Sequence, residues 1–441
     1  MSLSMLSLIS LVDIFLAGQI GKEAQAAIGI TEQVMFLNMI MLQGLCAGIN
    51  TTISQAWGSG DLQKTSDLAR LGSQIAFIFG AIATLFGFFS ADTLTSSFAT
   101  SAPVQHQAAG YLRICSLANI PWAMIMCKAT IFRAVGRAQK GTLIWLITAF
   151  VCVALEFLFF YSLPQGHSLA SLAVAWNLAA PIGVIYGFFQ MKDLGTSAWK
   201  NQPGGTRIAH NAKNILRVAI PVMMSEMCFL ISNLVLYVLL SKVPDATTAQ
   251  AAWTIMLRIE ESVAFIPLTA CSLATATIVA QAIGAGHLDK ARDIAHQVAV
   301  VASIGMFLVG TIITVLGPYM VPLFSQDRSI QQISTMLLSS SALMFPISAL
   351  TSIIAASFEG QGDTVRPMLS NLISLYIIRI PLAWFLATSL GAGVTGIWLS
   401  KLISIFASAA LMLIVCRSRM KPAPYLKTAR QVSARQIASH S

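Results

Sequence analysis

Two acidic residues stand where acid is costly. Asp13 lies in the run MLSLISLVDIFLAG with no basic residue within eight positions, and Glu156 lies in VCVALEFLFF, apolar on both sides. A charge inside a membrane costs on the order of 3 kcal/mol or more, so each needs a reason. For Asp13 the choices are a proton or Na+ site, or a hydrogen bond that packs helices. For Glu156 they are the same cation chemistry, or an isolated carboxyl kept neutral by burial. The second half of the chain is charged differently. Arg379 lies in YIIRIPLAW, Arg258, Glu260 and Glu261 lie in RIEESVAFIP, and Glu226 stands upstream. Arginine inside a membrane is normally paired, so the preferred reading is a structural ion network of Arg379 or Arg258 with Glu226, Glu260 or Glu261. The sharper reading makes Glu226, Glu260, Glu261 and Arg379 candidates for a substrate or second-cation site.

What positions these residues follows from composition. Of 441 residues only 10% are charged and 56% are hydrophobic, with a mean hydropathy of +0.75. Water cannot be the solvent for most of such a surface, so lipid must be. In lipid, backbone polar groups are satisfied only within helices or closed barrels. The apolar runs do not alternate and reach about twenty residues, which predicts helices. Twelve are expected, over 2–18, 26–56, 70–96, 108–132, 141–163, 168–190, 214–241, 248–283, 293–322, 333–358, 366–388 and 394–416. The fold class is therefore an all-α polytopic membrane protein. The stretch 191–213, with Pro203-Gly204-Gly205, reads as a flexible cytoplasmic connection.

The sequence also repeats itself. QAWGSGDLQK at 55–64 returns as QAIGAGHLDK at 281–290, and Phe132 and Gly136 return as Phe358 and Gly362. Two copies of one helical bundle are expected, a common design for carrying a solute across a bilayer. The organisation is a six-helix lobe at 1–190, the connection at 191–213, a second lobe at 214–416 and a basic tail at 417–441. Nineteen Lys/Arg fall in the connections after even-numbered helices and in the tail, against three after odd-numbered ones. Positive charge marks the cytoplasmic side, so both termini are expected in the cytoplasm and the two halves insert in parallel. The counterpart of Ala219-Ile220-Pro221 would lie before Met1. The first helix is thus expected to span only about 26 Å of a roughly 30 Å core. Either the natural start lies upstream or that helix is shortened.

On these residues the chain resembles the multidrug and toxic compound extrusion (MATE) transporters. LVDIFLAGQIG at 11–21 is similar to the family's first-helix signature, the segments 55–64 and 281–290 to its paired loops, and GQGDTVRP at 360–367 to the loop after the tenth helix. RIEESVAFIP leans toward the DNA-damage-inducible-F-like branch. The resemblance implies two pseudo-symmetric six-helix bundles and cation-coupled efflux of amphipathic, often cationic organic compounds. It also implies that Glu156 holds the acidic position of the fifth helix, facing Asp13 inside the first lobe. Such a pair titrates together, and binding a cation excludes binding a proton. The chain departs from the pattern in VGRAQKG at 135–141, which lacks the Gly-Asp-Thr of the second half, and at Cys152, where the family often has Asn.

Other classes fit poorly. The net charge of +10 lies in the tail and connections, which argues against a nucleic-acid partner. The seven cysteines form no CxxC or Cys/His spacing, so neither disulfide nor metal site is supported. GAGVTG at 391–396 has no strand before it, and the glycine-rich loops lack the Lys-Ser/Thr of a phosphate loop, so no ATPase is encoded. Asn50-Thr51-Thr52 fits a glycosylation sequon but lies inside a helix. No nucleophile–base or metal constellation marks an enzyme. The expectation is an antiporter of the bacterial inner membrane, a monomer without cofactor, driven by H+ or Na+, with Na+ at Asp13 as one option. The alternative is a flippase for a lipid-linked saccharide or other lipid, which calls for more buried cations than Arg258, Arg379, Lys128 and Lys401.

Overall fold

A computed structural model describes residues 2–97, 101–162, 168–192 and 205–417. The tail and residues 193–204 of the expected connection lie outside the described residues. Among those described, ten helices are long and apolar enough to cross a membrane, and a bent pair makes eleven. With the shorter first helix they give the twelve expected segments: α1 (Ser2–Ile20), α2 (Lys22–Gly58), α3 (Leu62–Phe89), the bent α4 (Ala102–Ser116 with Asn119–Ala134), α5 (Ala138–Ser162), α6 (Leu169–Lys192), α7 (Gly205–Leu240), α8 (Ala246–Gly284), α9 (Leu288–Met320), α10 (Ser341–Gln361), α11 (Val365–Ser389) and α12 (Gly393–Arg417).

The faces of α9 show why lipid is the solvent. Val301, Ile304, Leu308, Ile312 and Val315 recur every three or four residues and are 53–69% exposed. The opposite stripe, Ala295, Ala299, Ala302, Met306, Gly310, Ile313 and Gly317, is buried. A helix apolar on both faces is stable only where its outer face meets hydrocarbon. The buried stripe is small because hydrocarbon gives no reason to exclude side chains, and close backbone approach supplies the packing. At Gly310 an added Cβ would lie 2.8 Å from Ala342 Cα of α10.

Helices run beyond the apolar runs that announce them. α3 begins at Leu62 because Asp61 caps it, accepting from the Lys64 amide at 2.9 Å. Ahead of α10 a separate helix, Arg328–Leu338, starts at Asp327, which accepts from Ser329 and Ile330. The expected single segment 333–358 is therefore broken at Ser339 and Ser340. Likewise 108–132 is longer and bent by 51° at Leu117 and Ala118, just before Pro121. Side chains from other helices support the bend: Thr84 Oγ1 donates to Ser116 O at 2.9 Å, and Asn177 Nδ2 donates to Ile114 O at 2.8 Å, beside the Leu117 amide that also bonds it.

The duplication is visible in backbone geometry. Gly60 and Gly286 both turn through the left-handed region, with φ 75° and 82°, and so do Gly136 and Gly362, with φ 77° and 79°. Each amide bonds the carbonyl three residues back: Gly60 to Trp57, Gly286 to Ile283, Gly136 to Arg133 and Gly362 to Glu359. Only glycine takes this backbone without a Cβ penalty. The chain divides into two compact units, Met1–Met223 and Met224–Ser441. In each, the second, third and fourth helices pack against one another and the fifth packs on the sixth.

Candidate functional site

In the first unit α1 packs on α5, and Asp13 and Glu156 are 3% and 0% exposed. Asp13 Oδ2 accepts from Trp176 Nε1 of α6 at 2.9 Å. Glu156 Oε1 accepts from the Cys152 thiol, one turn earlier on α5, at 3.1 Å. Asp13 Oδ1 and Glu156 Oε2 are buried with no hydrogen-bond partner among the described residues. The two acids lie close enough to feel each other's charge. Buried Tyr111 and Cys115 of α4 stand within electrostatic reach of both. Ile9, Ala149, Cys152 and Ala179 form an apolar cluster with Trp122 and Trp176 packed on it. The Trp122 ring packs at a tilt against Trp176 at 5.0 Å and Trp145 at 5.6 Å, joining α4, α6 and α5.

Two buried carboxylates within each other's field disfavour the doubly ionised state, which a shared proton or a bound cation relieves. The structure therefore brings together the two acids that the sequence singled out, and it adds a third. Glu32 of α2 accepts from Ser10 Oγ, and its charge also reaches Asp13. Ser10 and Asp13 stand three apart on α1, hence on one face. Sequence reasoning passed over Glu32; the signal was an acid in ITEQVMFLN with no basic residue nearby. Lys128 is fully buried, its ammonium 3.3 Å from the Phe188 ring centre and 3.5 Å from Met191 Sδ.

Of the expected network the second unit forms the Arg258–Glu261 pair, and it gives Glu260 a different partner. Glu260 pairs with Lys401 of α12 at 2.6 Å, both 12% exposed. Lys401 was not among the expected partners, because a contact between residues 141 apart leaves no periodic trace. Arg258 pairs with Glu261 at 3.6 Å but is 69% exposed, so it is not a buried cation. Arg379 is 6% exposed and makes no ion pair among the described residues; its Nε donates to Ser404 Oγ at 2.8 Å, and Glu260 acts on it through the field. Glu226 is half-buried and joins none of these pairs.

Proline explains the local backbone. Glu261–Phe265 in α8 and Ile373–Arg379 in α11 are π-helical, and each is followed two residues later by a proline, Pro267 and Pro381. Proline has no N–H, and its ring crowds the carbonyl four residues back, so the ladder widens. Glu260 precedes the first widened turn and Arg379 closes the second. Pro221 and Pro346 sit inside continuous α-helices.

The sequence pattern of the MatE family matches residues 1–161 and 221–385. The chain belongs to the MatE family. MatE proteins are membrane transporters, so this is a multi-pass transporter and not an enzyme. It is 23% identical over 420 residues to a probable multidrug resistance protein NorM of Thermotoga maritima, covering 92% of this chain and 87% of that one. It is 25% identical over 450 residues to a NorM-named protein of Bradyrhizobium diazoefficiens, covering 95% and 91%. Among solved structures, a MOP superfamily transporter from Pyrococcus furiosus, described as having a binding pocket of reverse polarity, superposes with a TM-score of 0.86 at 18% identity, over 95% of this chain and 92% of that one. A Vibrio cholerae MATE transporter gives 0.85 at 18%, over 95% and 93%. These likenesses carry the MatE fold, two pseudo-symmetric six-helix bundles.

Proposed function

We propose that this MatE protein is a secondary antiporter that exports amphipathic organic compounds, many of them cationic, in exchange for protons taken up at Asp13 and Glu156. One observation carries the reading: each acid keeps a buried carboxylate oxygen without a hydrogen-bond partner among the described residues. A proton supplies the missing bond and cancels the charge in one step. The choice of H+ over Na+ is supported by the neighbours. Trp176 offers an N–H and Cys152 an S–H, whereas a hard metal cation calls for a shell of oxygens. Glu32 provides a third carboxylate within the field of Asp13. Multidrug cargo is supported by the name that several relatives carry.

The same reading assigns a first lobe to 1–190, a cytoplasmic connection to 191–213, a second lobe to 214–416 and a basic cytoplasmic tail to 417–441. It places the protein as a monomer in a bacterial inner membrane, with both termini inside as the Lys/Arg bias implies. Reconstitution in proteoliposomes tests it. An imposed pH gradient drives ethidium export by the wild type, a Na+ gradient does not, and Asp13→Asn abolishes export while purifying as a folded protein. Export driven by Na+ alone, or full export by Asp13→Asn, refutes the assignment.

A further inference from the structure

We infer that the second unit holds a binding site for a zwitterionic group, a carboxylate against Arg379 and an ammonium or other donor against Glu260. This rests on the transport reading and names a cargo class for it: amphipaths that carry a carboxylate beside their positive charge.

The charges come first. Arg258, Arg379 and Lys401 face Glu260 and Glu261 through the mutual fields of α8, α11 and α12. Arg258 and Glu261 pair off at the exposed edge, and Lys401 occupies Glu260 Oε2. Arg379 remains as one positive charge in excess. Nε donates to Ser404 Oγ, and among the described residues no hydrogen bond engages the two terminal nitrogens. A guanidinium that is 6% exposed has given up most of its water, and two unused donor arms in a planar fork match a carboxylate bidentately.

Its orientation is fixed. Ser404 Oγ also donates to Lys401 O at 2.8 Å, and Ser404 O accepts from Ser374 Oγ at 2.6 Å, so the hydroxyl that holds Arg379 is itself held. Lys401 is steadied by Glu260 and by the Trp253 ring at 5.7 Å. Within the field of Arg379, Glu260 Oε1 is buried and has no hydrogen-bond partner among the described residues. Unused donors on one side and an unused acceptor on the other are the complement of a zwitterion. Glu260 precedes one π-helical turn and Arg379 closes another; such turns cost stability and recur where a helix serves a site.

The test uses a pair of dyes that differ in one group. Rhodamine 19 carries a free carboxylate, and rhodamine 6G is its ethyl ester. Binding to the full-length protein in phosphatidylcholine nanodiscs is followed by fluorescence anisotropy, with no gradient. The wild type is expected to bind rhodamine 19 more tightly than the ester by about tenfold, the weight of a charged hydrogen-bonded contact. Arg379→Gln should erase that preference, and Arg379→Lys, which keeps the charge but not the fork, should restore part of it. Equal affinity of the wild type for both dyes, no binding of either dye, or an unchanged preference in a monodisperse Arg379→Gln variant overturns the inference. So does loss of rhodamine 19 binding on adding phosphatidylglycerol, which would assign the fork to lipid phosphate. Because binding is read without a gradient, failure of proton-driven export leaves this test standing. Equal binding of the two dyes, in turn, would leave proton-driven export untouched.

Discussion

Trp176 is the group that tells Asp13 which oxygen to use. Its indole N–H engages Oδ2 and leaves Oδ1 without a hydrogen-bond partner among the described residues, the oxygen that the proposed mechanism protonates. Trp176→Phe keeps most of the ring contact with Trp122 and removes the donor. A buried acceptor left unsatisfied costs about 1–3 kcal/mol, so the variant should melt at a lower temperature in detergent and export ethidium more slowly. Glu260 makes the complementary case. Glu260→Gln strands the Lys401 ammonium in a buried site, which costs about 3–5 kcal/mol when one partner of a buried pair is lost. The double variant Glu260→Gln/Lys401→Met should recover much of that stability, and a double-mutant cycle on thermal unfolding measures the recovery. Asp13 and Glu156 were legible in the sequence because an acid inside an apolar run has no cheap explanation. Lys401 and Glu32 were not: one meets its partner only through tertiary packing, and the other hides beside Thr31 and Gln33.

Among the helices, hydropathy marks what lies in oil and is silent about what extends past it. That is why Leu62–Ala69 and Arg328–Gln332 were missed: their polar turns are held by the Asp61 and Asp327 caps rather than by apolar periodicity. The broken fourth and tenth segments escaped for a related reason, since the side chains that support a bend, such as Thr84 and Asn177, come from other helices. The prolines were visible, but which of them widen the helix depends on packing. Pro381→Ala returns an amide N–H and lets the Ile373–Arg379 turn close to α-helical pitch. Losing the extra residue of the wide turn rotates Arg379 by about 100° relative to Ser404. The variant should unfold at a higher temperature, gaining up to about 3 kcal/mol, and bind rhodamine 19 less tightly. Both readings come from one preparation by differential scanning fluorimetry and anisotropy.

At the scale of the whole molecule, the twin glycine turns at 60 and 286 and at 136 and 362 show that the two units are one design written twice, which the repeated motifs had announced. Their chemistry has diverged. The first unit buries two acids beside an indole and a thiol, and the second pairs a buried acid with a lysine and holds a buried arginine on a serine. The proposed orientation, read from the Lys/Arg bias, expects the turns at Gly60 and Gly286 in the cytoplasm and the α11–α12 turn outside. In intact cells, an impermeant maleimide should label Ala392→Cys but not Ser59→Cys or Ala285→Cys. The latter two should react only after permeabilisation, in a background where the native cysteines are replaced.

In the proposed mechanism cargo and protons compete through Asp13 and Glu156, and proton release on cargo binding reads that competition. Ethidium is added to purified protein in weakly buffered detergent solution, with a pH-sensitive dye present. The wild type should release about one proton per ethidium bound, as coupled carboxylates give up what they share, and Asp13→Asn should release none. Ethidium binding without proton release in the wild type, or undiminished release from Asp13→Asn, would contradict the account.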